Sequence, residues 1–239
     1  MLPVTVRALG VGALEMKLGE KRILVDAINS EIDTGPLAPG DLLLFTHDDG
    51  DHFCIGKFPD VKGMDVQIIG PPSVVMPLLA QDRAAHGQIV VLYAKNNKLP
   101  PCFEQDGIRI TSYASPHFMD WKPVHNSYLI EYGEQRIYIT GDSLLTKNVI
   151  GPEAGIDTVI CNLVDEGFIT KKDDPRHAIH HHLSCMLRIM SDYALKRIIG
   201  VHLISFPGTV DARDMKKLVE AYGFENILIP VTADEVIIL

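Results

Sequence analysis

The sequence predicts an α/β fold, a four-layer αβ/βα sandwich in which two β-sheets lie in the middle and helices cover their outer faces. Three observations support it. Short strand-like segments open the chain, and strands and helices then alternate in each half. Apolar runs such as residues 42–45 are typical of strands that are buried on both faces. The sequence has no short-period repeat, which argues against a solenoid.

The first half begins with segments in which apolar and polar residues alternate, the period of a half-buried strand. A loop rich in Gly, Pro and Asp is predicted at 28–40. Pro71 and Pro72 indicate the start of a helix, and Gly87 indicates its end. Strands are predicted at 4–9, 13–18, 21–27, 41–47, 66–70 and about 89–94.

The second half repeats this progression from strands to alternating strands and helices. Residues 127–133 and 136–143 are expected to form a hairpin joined at 134–135. A polar, His-rich stretch at 165–182 separates two of the later elements. Further strands are predicted at 107–115, 156–164, 197–203, 227–232 and 235–239, and helices at 183–196 and 210–224.

Length and composition indicate one globular domain spanning residues 1–239. The net charge of −9 argues against a non-specific nucleic-acid binder, and no apolar run is long enough to span a membrane. The N-terminus lacks the features of a secretory signal. Scattered cysteines without a CxxC pair favour reduced thiols, so we expect a cytoplasmic protein. These cysteines are Cys54, Cys102, Cys161 and Cys185.

The segment Thr-His-Asp-Asp-Gly-Asp-His-Phe at 46–53 is the most informative part of the chain. It follows a buried strand, which would hold its last residue rigidly, and Gly50 allows a tight turn. Imidazole nitrogens and carboxylate oxygens are suitable ligands for Zn, Mn or Fe. The metal-capable side chains are His47, Asp49, Asp51 and His52.

This segment resembles the His-x-His-x-Asp-His loop of the metallo-β-lactamase superfamily. His47, Asp51 and His52 match that pattern in type and spacing, whereas Asp49 replaces its second histidine. A carboxylate can still bind metal, and it makes the site harder, which favours Mn or Fe relative to Zn.

Three later segments resemble the remaining signatures of the superfamily, in the same order along the chain. Each lies at the end of a predicted strand: Ser-Pro-His ending at His117, Gly-Asp ending at Asp142 and Val-His ending at His202. The resemblance covers about residues 4–238 and implies the metallo-β-lactamase fold.

The resemblance also implies a ligand set for two divalent cations, Zn or Mn, with Fe as a further option. One ion would be held by His47, Asp49 and His117, and the other by Asp51, His52 and His202, with Asp142 bridging both. Two such ions activate a shared water and stabilise the oxygens of the attacked group. We therefore expect a hydrolase that uses a metal-bound hydroxide on an ester-like bond, such as a phosphodiester or lactone, in a small-molecule substrate. Asp51 and Asp142 are the expected catalytic residues.

Two other segments are candidates for substrate contact. The His-rich stretch lies where this superfamily often places substrate-facing loops, and His181 and His182 are its best candidates, although an exposed polar loop fits as well. Trp121, in the loop after His117, could form an apolar wall, and His125 could approach the pocket. Ordinary packing is the alternative for both. Homo-oligomerisation is left open by the sequence.

Other functions remain as alternatives. A di-iron redox or oxygen-handling protein of the same fold suits the carboxylate at Asp49, although no flavodoxin-like module or cysteine ligand motif accompanies it. A non-catalytic binding descendant would not need the full ligand set. A nuclease of the superfamily would normally carry an RNA-binding arm, which this acidic chain does not show.

Overall fold

The strands form where the sequence alternates or becomes wholly apolar, and the structure shows their bounds. The computed structural model describes residues 3–30, 32–94, 97–117, 124–143, 145–162, 188–202 and 212–239. Its strands are β1 (Val4–Ala8), β2 (Leu14–Leu18), β3 (Lys21–Val25), β4 (Asp41–Leu44), β5 (Val66–Gly70), β6 (Ile89–Val91), β7 (Cys102–Gln105), β8 (Ile108–Ala114), β9 (Asn126–Tyr132), β10 (Gln135–Ile139), β11 (Thr158–Asn162), β12 (Arg197–Val201), β13 (Leu228–Pro230) and β14 (Val236–Ile238). Its α-helices are α1 (Pro72–Ala80) and α2 (Ala212–Ala221), and residues 188–193 are also helical.

The strands form two sheets with similar internal organisation. The first has the order β14-β1-β2-β3-β4-β5-β6, and the second β13-β12-β11-β10-β9-β8-β7. In the first sheet β1 to β3 pair antiparallel, whereas β3 to β6 pair parallel. In the second sheet β7 to β10 pair antiparallel, whereas β10 to β13 pair parallel. In each sheet the parallel strands therefore bring their carboxyl ends to one edge.

Three apolar clusters define the layers. The largest lies between the sheets and includes Leu44 of β4 and Ile137 of β10. A second packs Phe45 and Ile68 of the first sheet against Val75 and other residues of α1. A third packs the outer face of the second sheet against α2 through residues such as Met215. This is the predicted αβ/βα sandwich.

Hydrogen bonds join the two sheets at the ends of β4 and β9. The backbone N–H of Asn126 donates to the carbonyl of Thr46 at 3.0 Å, and the buried Tyr128 hydroxyl donates to the carbonyl of Phe45 at 2.6 Å. These contacts fix the residues that follow β4 against the second sheet.

The elements differ from the sequence predictions in detail. The first helix ends at Ala80 instead of Gly87, because Asp82 takes a left-handed backbone with φ 57°. β7 was not predicted, since Cys-Phe-Glu-Gln carries little apolar signal. Over the described ranges, no helix is both long and apolar enough to cross a membrane.

Candidate metal centre

The polar residues that follow the central strands of both sheets converge on one site. His47, Asp49, Asp51 and His52 follow β4, while the second sheet contributes His117 after β8, Asp142 after β10 and His202 after β12. The structure thus brings together all seven side chains that the sequence singled out as ligands. They form two clusters on either side of Asp142.

The first cluster contains His47, Asp49 and His117. Oδ2 of Asp49 lies 3.4 Å from Nε2 of His47 and 3.2 Å from Nε2 of His117. Oδ2 of Asp142 lies 4.0 Å from the His47 nitrogen and 3.7 Å from the His117 nitrogen. Ligand atoms bound tetrahedrally at about 2.1 Å would stand about 3.4 Å apart, so these spacings suit one shared ion.

The second cluster contains Asp51, His52 and His202. Oδ2 of Asp51 lies 3.8 Å from Nε2 of His52 and 3.6 Å from Nε2 of His202. The other oxygen of Asp142, Oδ1, lies 3.3 Å from the His52 nitrogen and 4.0 Å from the His202 nitrogen. The two oxygens of Asp142 therefore face different clusters, so this carboxylate could contribute a ligand to each.

Asp26, which follows β3, orients two of these histidines. Its Oδ2 is 2.9 Å from Nδ1 of His52 and 2.6 Å from the Thr46 hydroxyl, which donates to it. Because the hydrogen of that hydroxyl points to Asp26, the hydroxyl oxygen accepts a hydrogen bond from Nδ1 of His47 at 2.8 Å. Both imidazoles therefore direct Nε2 into the site, as in carboxylate–histidine–metal arrangements.

The ring nitrogens that face the site have the chemistry of metal ligands. Nε2 of His47 and Nε2 of His52 are buried and have no hydrogen-bond partner among the residues that the structure describes. The same holds for both ring nitrogens of His202, which also has a strained left-handed φ of 64°. Leaving such groups unsatisfied is costly, and a bound cation would satisfy them. The residues present therefore fit two metal ions.

Charge in the site is polarised between histidines and carboxylates. Burial lowers the pKa of His47 far below its usual range. Burial also opposes the charge of His52, yet the neighbouring carboxylates of Asp142 and Asp26 raise its pKa well above the usual value. Burial would raise the pKa of Asp142, but the positive charge of His52, 3.3 Å away, lowers it. Asp142 therefore remains a carboxylate able to bind cations.

The residues proposed for substrate contact are placed differently. His125 is buried behind Asp142, and both of its ring nitrogens are hydrogen-bonded within the protein, so this geometry does not present it to a substrate. Burial lowers its pKa to about 3, so it is neutral. Trp121, His181 and His182 lie outside the described residues.

Sequence reasoning missed the supporting residues of the site. Asp26 contacts His52 across 26 positions of sequence, and Asn162 donates to Oδ1 of Asp142 at 2.8 Å across 20 positions. One available signal was their position, since each stands at or just after the end of a parallel strand. Polar residues at such ends are candidates for the site that the strands converge on.

The fold and these two clusters define a metal-binding αβ/βα sandwich. Residues 21–203 match the family described as beta-lactamase superfamily domain, and the chain belongs to that family. This confirms the resemblance seen in the sequence, including the metallo-β-lactamase fold. The sequence has no match among curated proteins.

Solved structures of low sequence identity share the fold. The chain is similar to a metallo hydrolase from the archaeon Ignicoccus hospitalis (14% identity, TM-score 0.67, 100% of this chain and 99% of the other). It is also similar to an isothiocyanate hydrolase from Delia radicum gut bacteria (14% identity, TM-score 0.66, 98% of both chains). A third is CmlA, a diiron beta-hydroxylase from Streptomyces venezuelae (13% identity, TM-score 0.66). That match covers 99% of this chain and 54% of CmlA.

Proposed function

We propose that this protein is a metal-dependent hydrolase that binds two divalent cations and cleaves an ester-like bond, such as a phosphodiester or lactone, in a small substrate. The observation that carries the proposal is the position of Asp142, whose two carboxylate oxygens face two separate clusters of imidazole and carboxylate ligands. Membership of the beta-lactamase superfamily supports it. So do two of the similar solved structures, which are described as a metallo hydrolase and an isothiocyanate hydrolase.

The two clusters have matching donor sets. Each contains two histidines and one carboxylate of its own, Asp49 or Asp51, and shares Asp142. The carboxylate of Asp49, where the superfamily pattern has a histidine, makes the first set harder, which favours Mn or Fe relative to Zn. Bound divalent cations lower the pKa of a water molecule and stabilise negative charge on the attacked group.

Asp51 is the residue best placed to handle a proton. Its side chain is 48% exposed, whereas the histidines around it are largely buried. Its proximity to His202 lowers its pKa, so the carboxyl group is deprotonated and can accept a hydrogen bond from a water molecule in the site. Asp142 and the histidines hold the reacting groups in place, and the buried Asp26–His52 pair keeps their orientation fixed.

The test begins with metal-free protein to which Mn²⁺ or Zn²⁺ is added. We expect two equivalents to bind and activity to appear on one class in a panel of phosphodiester, lactone and thioester substrates. Asp142→Ala should abolish this activity because it removes a ligand from both clusters. Asp82→Ala, at an exposed carboxylate, is the matched control. Activity that survives Asp142→Ala would contradict the proposal.

A di-iron oxygen-handling protein is the second candidate. The observation in its favour is that each cluster combines two imidazoles with carboxylates, a donor set that suits iron in oxygenases. Protein purified with two equivalents of iron, visible-range absorbance and no hydrolytic turnover with Mn²⁺ or Zn²⁺ would favour this candidate over the hydrolase.

A further inference from the structure

We propose that His125 is a positioning residue that holds the backbone of Asp142 and thereby sets the affinity of both metal clusters. The inference rests on the proposed function, because it concerns the carboxylate that would bridge the two ions. It assigns His125 a role distinct from substrate contact and from metal ligation.

A directional chain of hydrogen bonds carries the inference. The backbone N–H of Asp142 donates to Nε2 of His125 at 3.0 Å. On its other side, Nδ1 of the ring is 2.7 Å from the Ser115 hydroxyl, which is 2.7 Å from the Ser127 hydroxyl. The Ser127 hydroxyl donates to the carbonyl of Thr140 at 2.8 Å.

The polarity of this chain is fixed at both ends. The Asp142 amide can only donate, and the Thr140 carbonyl can only accept. Each group between them therefore has one arrangement: Ser127 accepts from Ser115, and Ser115 accepts from Nδ1–H of His125. His125 is consequently a neutral imidazole whose Nε2 lone pair is used by the Asp142 amide. Neither nitrogen is left to bind a cation.

The chain of hydrogen bonds begins and ends on the same loop, residues 140–142. Thr140 precedes Gly141 and Asp142, so the loop is held through the carbonyl of Thr140 and the amide of Asp142 at once. Gly141 has φ 59°, and a Cβ there would lie 2.7 Å from Nε2 of His125. The backbone between the two anchors therefore fits closely against the imidazole, and a displaced ring would displace Asp142.

His125 supports the bridging carboxylate from behind, while Asn162 supports it through the side chain. Asn162 donates to Oδ1 of Asp142, the oxygen that faces His52. The His125 ring also packs beside the ligands, with its centroid 4.8 Å from that of His47 and 5.6 Å from that of His117. Because Asp142 faces both clusters, a change at His125 should weaken the binding of both ions.

The experiment is a titration of metal-free wild type, His125→Phe and His125→Gln with Mn²⁺ alone. Calorimetry measures the affinity, and electron paramagnetic resonance detects a coupled pair of ions. For His125→Phe we expect affinity for both ions to fall roughly 10- to 100-fold, the usual effect of losing an outer-shell partner. The resonance spectrum of a coupled Mn²⁺ pair should also be lost in His125→Phe. His125→Gln should recover most of the affinity and the coupling, because its side-chain carbonyl can accept from the Asp142 amide.

Tyr193→Phe is the matched control for general destabilisation. It removes a buried hydroxyl that donates to the carbonyl of Ile150 at 2.7 Å, within the apolar cluster between the second sheet and α2. It should lower thermal stability while leaving Mn²⁺ binding unchanged. Wild-type affinity and coupling in folded His125→Phe would overturn the inference, as would a His125→Gln variant as weak as His125→Phe. If wild type itself binds a pair of neither Mn²⁺ nor Zn²⁺ ions, the proposed function fails instead.

Discussion

At the scale of single residues, the site depends on side chains that do not face its pocket. Asp26 is 1% exposed, yet it holds Nδ1 of His52 and the Thr46 hydroxyl, and through that hydroxyl it orients His47. One histidine of each cluster is therefore oriented by one buried carboxylate. Outer partners of this kind increase the basicity of the ligand and fix its tautomer.

We expect Asp26→Asn to weaken Mn²⁺ binding about 10- to 100-fold, because a neutral amide no longer supports His52 and can present an N–H in place of an acceptor. Calorimetric titration of the metal-free variant measures the effect. Asp41→Asn is the matched control, since Asp41 is also a buried carboxylate but pairs with Arg22 at the opposite end of β4. Equal metal affinities in the two variants would show that Asp26 does not orient the ligands.

At the scale of elements, the site is made by the ends of strands and the short turns that leave them. The turn after β10 carries Asp142, and it can pass beside His125 only because residue 141 is a glycine. Gly141 combines a left-handed backbone with close contacts, at 2.7 Å to His125 and 3.1 Å to Thr46 for an added Cβ.

Replacement of this glycine tests the fit of the turn. Gly107→Ala is the matched control, because Gly107 has a similar φ of 78° but no described atom within 4 Å of an added Cβ. We expect Gly107→Ala to cost about 1–2 kcal/mol in free energy of unfolding through its backbone alone. Gly141→Ala should cost more and should also weaken Mn²⁺ binding. Urea denaturation of metal-free protein measures the loss of stability, and titration with Mn²⁺ measures the binding. Equal losses of stability in the two variants, with metal binding intact in Gly141→Ala, would contradict the close fit of this turn.

Much of this arrangement was accessible from the sequence, because the information is local. The strands around the site are apolar runs that end in His47, His117, Asp142 or His202, and both the strand and its terminal residue can be read without knowing the fold. The partners of Asp26 and His125 could not be read in this way. Their hydrogen bonds join different elements, and an isolated buried histidine has no signature that separates support from ligation.

At the scale of the whole molecule, charge links metal binding to stability. The formal charge is −9, and each divalent cation adds two charges, so two ions would bring it to −5. Binding also requires His52 to give up the proton that Asp26 and Asp142 otherwise hold on it. Metal-free and metal-loaded protein should therefore respond to pH in opposite directions.

In metal-free protein, the raised pKa of His52 stabilises the fold below its unfolded value of about 6.5, and this contribution is lost as pH rises through the folded pKa. With Mn²⁺ at 100 times its dissociation constant, binding should add about 2.7 kcal/mol. For a chain of this size that is a rise in Tm of roughly 5–10 °C. One Mn²⁺ concentration, set from the dissociation constant at pH 8, is used at both pH values. Thermal denaturation at pH 6 and pH 8, with this Mn²⁺ or with chelator, should show a larger rise in Tm at pH 8. An equal rise at both values would contradict the role given to His52.

Each cluster takes two side chains from the loop after β4 and two from the second sheet, counting Asp142 in both. An ion held there would cross-link the amino-terminal and carboxyl-terminal halves of the chain, and neither half alone would offer a complete coordination shell. The halves could then come apart only after the ion had left. The residence time of the metal would set a lower limit on how long the fold survives.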